Sequence, residues 1–144
     1  MFTPKPMKTT SLLLLAVSLL FLSWSHPAQA DPLKPQIKEG DSVAALWSDG
    51  NYYVGTVTGI TKGDRYRILF EDGDRKPVDA SDVYLLRANR EFAIGEHVLA
   101  AWKGARMYPG VVTAIFPNSC RIKWDDGDKP LEVKRDRIIF KGRK

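Results

Sequence analysis

Cysteine is almost absent: Cys120 stands alone among 144 residues, so no internal disulfide can form and stability has to come from packing. Histidine is nearly as scarce, and beyond the first thirty residues the only one is His97. No Ser-His-Asp order can be built around it. Strand parity sets His97 opposite Val98 and therefore outward, while Cys120 shares the inward parity of Ile122 and reads as a small buried apolar residue rather than a nucleophile. Glycines are scattered singly at turns, which excludes a phosphate-cradling loop. The acidic runs Glu71-Asp72-Gly73-Asp74 and Asp125-Asp126-Gly127-Asp128 lack the alternating ligands and terminal glutamate of a calcium loop and read as hairpin turns. These absences point to a non-catalytic protein with no metal and no cofactor. No segment of ten or more residues has helical periodicity, which leaves an all-β chain.

Only one long apolar run is present, and it lies at the start. Lys5 and Lys8 precede the run Ser11 to Leu22, and Ala28-Gln29-Ala30 follows as a small-x-small cleavage site. This is the three-part layout of a secretory signal over residues 1–30, with cleavage expected before Asp31. The run is shorter than the roughly 20 apolar residues of a spanning helix. The expectation is a soluble periplasmic or secreted chain with no membrane insertion after cleavage. Losing Lys5 and Lys8 from 22 basic residues leaves 20 against 17 acidic ones, a net charge of only +3.

What the sequence does have is a duplication. Gly40-Asp-Ser-Val-Ala-Ala-Leu-Trp47 returns as Gly95-Glu-His-Val-Leu-Ala-Ala-Trp102, Tyr53-Val54-Gly55 as Tyr108-Pro109-Gly110, and Phe70-Glu-Asp-Gly-Asp74 as Trp124-Asp-Asp-Gly-Asp128. Two copies spaced by about 54 residues mark a doubled small domain rather than a solenoid. The boundaries read as 37–87 and 92–141, joined by the short Arg87 to Glu91 connection, which favours packing of the halves against each other.

Period-two patterning gives five strands per copy. In the first they are expected at Ser42 to Trp47, Tyr52 to Thr61, Arg65 to Phe70, Lys76 to Asp79 and Val83 to Leu86. In the second they fall at His97 to Trp102, Met107 to Phe116, Ser119 to Trp124, Lys129 to Val133 and Arg137 to Phe140. Ala80 to Asp82 and Lys134 to Asp136 read as single helical turns. Asp-Gly pairs at 49–50, 72–73 and 126–127 supply the hairpin chemistry. Five short antiparallel strands in about 50 residues fit a bent, closed barrel.

Parity also gathers the aromatics. Val43, Ala45 and Trp47 share one face of the first strand, Tyr53, Gly55 and Val57 of the second, and Tyr66, Ile68 and Phe70 of the third. Because hairpin strands alternate in direction, Trp47, Tyr53 and Phe70 meet at one rim, with Asp72 and Asp74 leaving from it. Trp102, Tyr108 and Trp124 meet likewise, beside Asp126 and Asp128. Rings around a dehydrated cation hold it by about 0.5 to 2 kcal/mol, and methylated ammonium groups suit such a cage best. The bland alternative is that the rings only plug the barrel mouth.

Trp47, Tyr53-Val54-Gly55 and Phe70-Glu71-Asp72-Gly73, with their second-copy counterparts, resemble the signature of Tudor domains, the SH3-like barrels of the Royal superfamily. The resemblance covers nearly the whole chain after the leader and implies tandem Tudor-like barrels. It further implies a cage of Trp47, Tyr53 and Phe70 with Asp72 as the acid, and in the second copy Trp102, Tyr108, Trp124 and Asp126. Some members carry a further aromatic after the glycine, where this chain has Asp74 and Asp128. Members that read methylated side chains act on nuclear or cytoplasmic proteins, whereas this chain opens with an export-type leader, so the family's ligand does not transfer with the fold.

The leading expectation is an exported binding module for a cationic Lys or Arg, methylated or not, of a peptide or protein. One alternative is nucleic-acid or polyanion binding through Lys134, Arg135, Arg137, Lys141, Arg143 and Lys144, joined by Arg65, Arg67, Arg121 and Lys123 on outward strand faces. The other is a cell-envelope scaffold whose rims are merely plugged.

Overall fold

The computed structural model describes residues 36–141, all within one compact unit that runs from Pro32 to Lys144. The leader expected at residues 1–30 lies outside the described residues, as do Arg143 and Lys144. The described chain is all-β: two five-stranded antiparallel sheets, each curled into a small barrel. The first holds β1 (Ser42–Leu46), β2 (Tyr52–Thr61), β3 (Arg65–Phe70), β4 (Arg75–Asp79) and β5 (Val83–Leu85) in the order β4-β3-β2-β1-β5. The second holds β6 (His97–Ala101), β7 (Met107–Ile115), β8 (Ser119–Trp124), β9 (Leu131–Lys134) and β10 (Ile138–Phe140) in the order β10-β6-β7-β8-β9. This is the same connectivity read from the opposite edge.

Two differences from the expected strands are local. Trp47 and Trp102 fall just past β1 and β6, and at the first of these the Trp47 N–H bonds Asn51 O at 2.8 Å within the hairpin. The ninth strand begins at Leu131 instead of Lys129, since Asp128 to Pro130 extend the preceding turn and Pro130 has no N–H for a ladder. The single 3-10 turns sit at Ala80–Asp82 and Arg135–Arg137, the second one residue later than expected.

Each long second strand bends at a bulge, where the register slips between Val57 and Gly59 in β2 and between Val112 and Ala114 in β7. The bulged residues are Thr58 and Thr113, whose hydroxyls donate to Arg67 O and Arg121 O at 3.3 Å. An extra residue on one strand increases twist and lets five short strands curl. Glycine is required on the inner face before each bulge. A Cβ at Gly55 would stand 2.7 Å from Ile68 Cγ2, and one at Gly110 would stand 2.6 Å from Ile122 Cγ2. The partners across the ladder are Phe70 and Trp124, so each glycine makes room where a large ring turns inward.

Val43, Ala45, Val57, Ile68, Phe70 and Val78 form the first core, and Val98, Ala100, Val112, Cys120, Ile122 and Trp124 the second. A third apolar cluster joins the barrels: Ala44, Val54 and Leu86 from the first meet Ala101, Met107 and Ile139 from the second. The alanines on the outward side of β1 and at the end of β6 let the two sheets approach closely. Main-chain pairing seals the junction, with Val54 N–H donating to Ala105 O at 2.8 Å and Tyr53 bridging Arg106. Packing of the halves, expected from their small size, is therefore observed.

Candidate functional site

The first rim is built on the β1–β2 hairpin and the end of β3. Trp47 packs edge-on against Phe70 at a centroid distance of 4.9 Å and an angle of 83°. Trp47 and Tyr53 are half-buried against the same core. Phe70 is only 2% exposed, so it is the floor that props Trp47 rather than an open wall. The open surfaces of this rim belong to Trp47 and Tyr53.

A carboxylate does sit on this rim, and it is Asp49. Its Oδ2 accepts the Tyr53 hydroxyl at 2.7 Å and its Oδ1 accepts the Asn51 N–H at 2.9 Å. These donors, the Tyr53 hydroxyl foremost, hold the Asp49 carboxyl down at about 2, and the same bond pushes the Tyr53 phenol up. Asp72, by contrast, turns its Oδ1 to the Asp74 N–H at 3.0 Å and closes its own hairpin. Asp126 does the same with Asp128 at 3.0 Å. Asp49 was legible as an Asp-Gly turn residue. Its further role at the rim depends on the hairpin folding its side chain back onto Tyr53, four positions on.

Trp47 also receives a cation from within the chain. Lys76 on β4 places its Nζ 5.3 Å from the Trp47 ring centroid and donates to Ser48 Oγ at 2.9 Å.

The second rim repeats the rings with a different geometry. Trp102 and Trp124 stack at 5.5 Å and 18°, and Tyr108 stands edge-on to both, at 6.2 Å and 6.5 Å. Trp124 is 2% exposed, and the stacking leaves no gap for a guest between the two indoles. Both indole N–H groups are buried without an acceptor, each at a cost of about 1–3 kcal/mol. Gly104 occupies the place of Asp49, and cations flank it. Lys103 Nζ lies 5.2 Å over Trp102, and the Arg106 guanidinium lies 5.0 Å over Tyr108. Lys103 adopts a left-handed backbone, with φ at 41°.

The basic residues of the polyanion alternative are largely engaged internally. Arg135 donates to Phe116 O at 2.7 Å and to Arg90 O at 3.3 Å. Arg137 pairs with Glu71, Lys141 with Asp125 at 3.6 Å, and Arg65 with Asp79 at 2.8 Å. Arg121 lies over Phe116 at 5.5 Å. A separate groove of about 390 Å³ between the barrels, lined by Tyr52, Tyr84, Leu99, Met107, Pro109 and Phe140, contains none of the rim residues. Burial there pushes the Tyr52 phenol up to about 12. Among the described residues no group of three or more His, Cys, Asp or Glu could hold a metal ion.

The described residues form two small SH3-like barrels with aromatic rims and a shared apolar seam. Residues 40–73, from the glycine before β1 to the turn after β3, match the family described as the Jumonji domain-containing protein 2A Tudor domain. The second copy repeats the strand order and the rim, so the chain carries two small barrels in tandem, and the first of them matches that family over those residues. Among solved structures, the ADCP1 tandem Agenet domain 3-4 is similar at 15% identity and a TM-score of 0.41, over 72% of this chain and 79% of that one. AGD34 of Arabidopsis thaliana AGDP1 is similar at 14% identity and a TM-score of 0.43, over 72% and 82%. No curated protein matches the chain.

Proposed function

We propose that the first rim binds a methylated ammonium or guanidinium group on a peptide or protein, with Trp47 and Tyr53 as the walls, Phe70 as the floor and Asp49 as the counter-charge. The observation that carries this reading is Lys76. An ammonium group of the chain itself already rests 5.3 Å over the Trp47 face, so the ring is reachable by a cation of the size and approach the reading requires. Ionised Asp49 beside Tyr53 supplies the charge complementarity, and Tyr53 is held in place by that same bond. The second rim, with its indoles stacked and Asp49 replaced by Gly104, is not a second copy of this cage.

The test is a titration followed by tryptophan emission, with a trimethyl-lysine peptide and its unmodified counterpart. Tighter binding of the trimethylated peptide, tolerant of added salt and lost in Trp47→Ala, is the expected result. Equal binding of both peptides, unaffected by that substitution, would remove the cage. Affinity for nucleic acid falling steeply with salt would favour the polyanion alternative instead.

The proposal places this binding outside the cytoplasm, on the strength of Lys5, Lys8, the run Ser11 to Leu22 and Ala28-Gln29-Ala30. Recovery from the periplasm or medium of a chain beginning at Asp31 is the expected outcome. A chain retained at full length in the cytoplasm would refute it.

A further inference from the structure

The two rims are neighbours, with the Asp49 carboxylate on the first and the cations Lys103 and Arg106 on the second. Tyr53 and Arg106 are antiparallel bridge partners, and Val54 N–H bonds Ala105 O at 2.8 Å, so the hairpin of the second rim lies alongside the wall of the first. Asp49 feels the Arg106 charge, and Tyr53 feels Tyr108. On one side stands a carboxylate fixed by two donors. On the other, Lys103 and Arg106 are exposed and rest only on ring faces. Neither forms an ion pair with a described residue. The acids are engaged elsewhere: Asp49, which feels Arg106 across the bridge, accepts from Tyr53 and Asn51, Asp125 pairs with Lys141, and Asp126 closes its own turn. This rim is therefore rich in donors and positive charge, and its own side chains offer those groups no carboxylate.

We propose that the second rim is an anion-accepting subsite, in which Lys103 and Arg106 take the carboxylate of an acidic residue flanking the cationic residue held by the first rim. It rests on the cation reading of the first rim and narrows it from any methylated cation to one in an acidic context. Strand partners lie about 5 Å apart and a peptide advances about 3.3 Å per residue, so the two ligand groups belong to adjacent or next-but-one residues. A guanidinium accepts a carboxylate through two parallel hydrogen bonds, and the Tyr108 face under Arg106 orients the fork without neutralising it.

The experiment uses the full chain and six peptides: trimethyl-lysine or unmodified lysine, each flanked by Glu, by Gln or by Lys. The Glu-flanked peptides should bind about five-fold tighter than the Gln-flanked ones, and the Lys-flanked ones weakest, whichever lysine is present. Lys103→Gln with Arg106→Gln should erase the Glu preference, and Lys103→Glu with Arg106→Glu should reverse it, both leaving the trimethyl preference intact. Lys103→Gln alone, at an exposed residue, should give a partial loss and guards against misfolding of the doubles. A trimethyl preference without a Glu preference overturns the subsite and spares the cage. A Glu preference without a trimethyl preference removes the cage and keeps the subsite. An oligonucleotide that competes at this rim while flanking Glu has no effect would overturn the inference in favour of a polyanion.

Discussion

Arg137 and Glu71, 66 positions apart in the chain, close a two-point ion pair across the junction of the barrels. Nη1 reaches Oε1 at 2.9 Å and Nη2 reaches Oε2 at 3.2 Å. The same guanidinium donates to Gly104 O at 2.7 Å, so one side chain ties the turn after β3, the β6–β7 hairpin and the entry to β10. The Glu71 hydrogen bond pushes the Arg137 pKa up still further, so the guanidinium stays charged across the ordinary pH range. The same hairpin carries Lys103 and Arg106, so this contact pins the segment that bears the second rim's cations.

Arg137→Met should therefore act locally. The pair is partly exposed and bidentate, which argues for a loss of only about 1 kcal/mol in global stability. Amide exchange at Val54, whose N–H bonds Ala105 O, should accelerate well beyond that, while β3 and β8 amides keep their protection. Unchanged exchange at Val54 would show that the apolar seam alone sets the register of the barrels.

Asp49 gives a pH signature. Its folded value of about 2 lies below the ordinary 3.8, so the Tyr53–Asp49 bond contributes fully above about pH 4 and is lost as the pH falls toward 2. An NMR titration of the Asp49 carboxyl should show a midpoint near 2. Tyr53→Phe removes the largest cause and should raise that midpoint toward 3.8. A midpoint that stays put would assign the shift to Asn51 and free Tyr53 from its tether.

The paired glycines should be intolerant of any side chain. Both Cβ positions would fall within 2.8 Å of a backbone oxygen, Leu69 O for Gly55 and Lys123 O for Gly110, which cannot rotate away. Gly55→Ala and Gly110→Ala should each cost about 1–3 kcal/mol, read as a lowered denaturant midpoint. Gly59→Ala, where nothing lies within 4 Å, is the control and should stay near neutral.

The duplication, the strand alternation and the Asp-Gly turns made the barrels legible, because period two and turn chemistry are local properties of the chain. The rims were legible only as neighbourhoods. Parity brought Trp47, Tyr53 and Phe70 together but could not say that Phe70 lies beneath Trp47. The depth of a ring depends on the bulge at Thr58 and the space left by Gly55. Asp72 leaves from the same rim, but its side chain closes the turn to Asp74. Lys76 over Trp47 and Arg106 beside Tyr53 are contacts across 29 and 53 residues, which no local pattern announces.

Lys76 offers the sharpest test of the first rim, since it occupies the ring face an incoming methylammonium would need. It rests 5.3 Å from the Trp47 centroid and is anchored by Ser48 Oγ at 2.9 Å. An exposed contact of this kind is worth about 0.5 to 1 kcal/mol, which an external cation must overcome before it gains anything from the ring. Lys76→Gln clears the face and removes a like charge, so trimethyl-lysine peptide should bind about two- to five-fold tighter to that variant. Trp47→Ala should abolish the gain when the two are combined. If Lys76→Gln weakens binding instead, Lys76 is part of the recognition surface rather than its internal competitor, and the ligand at this rim carries a negative group.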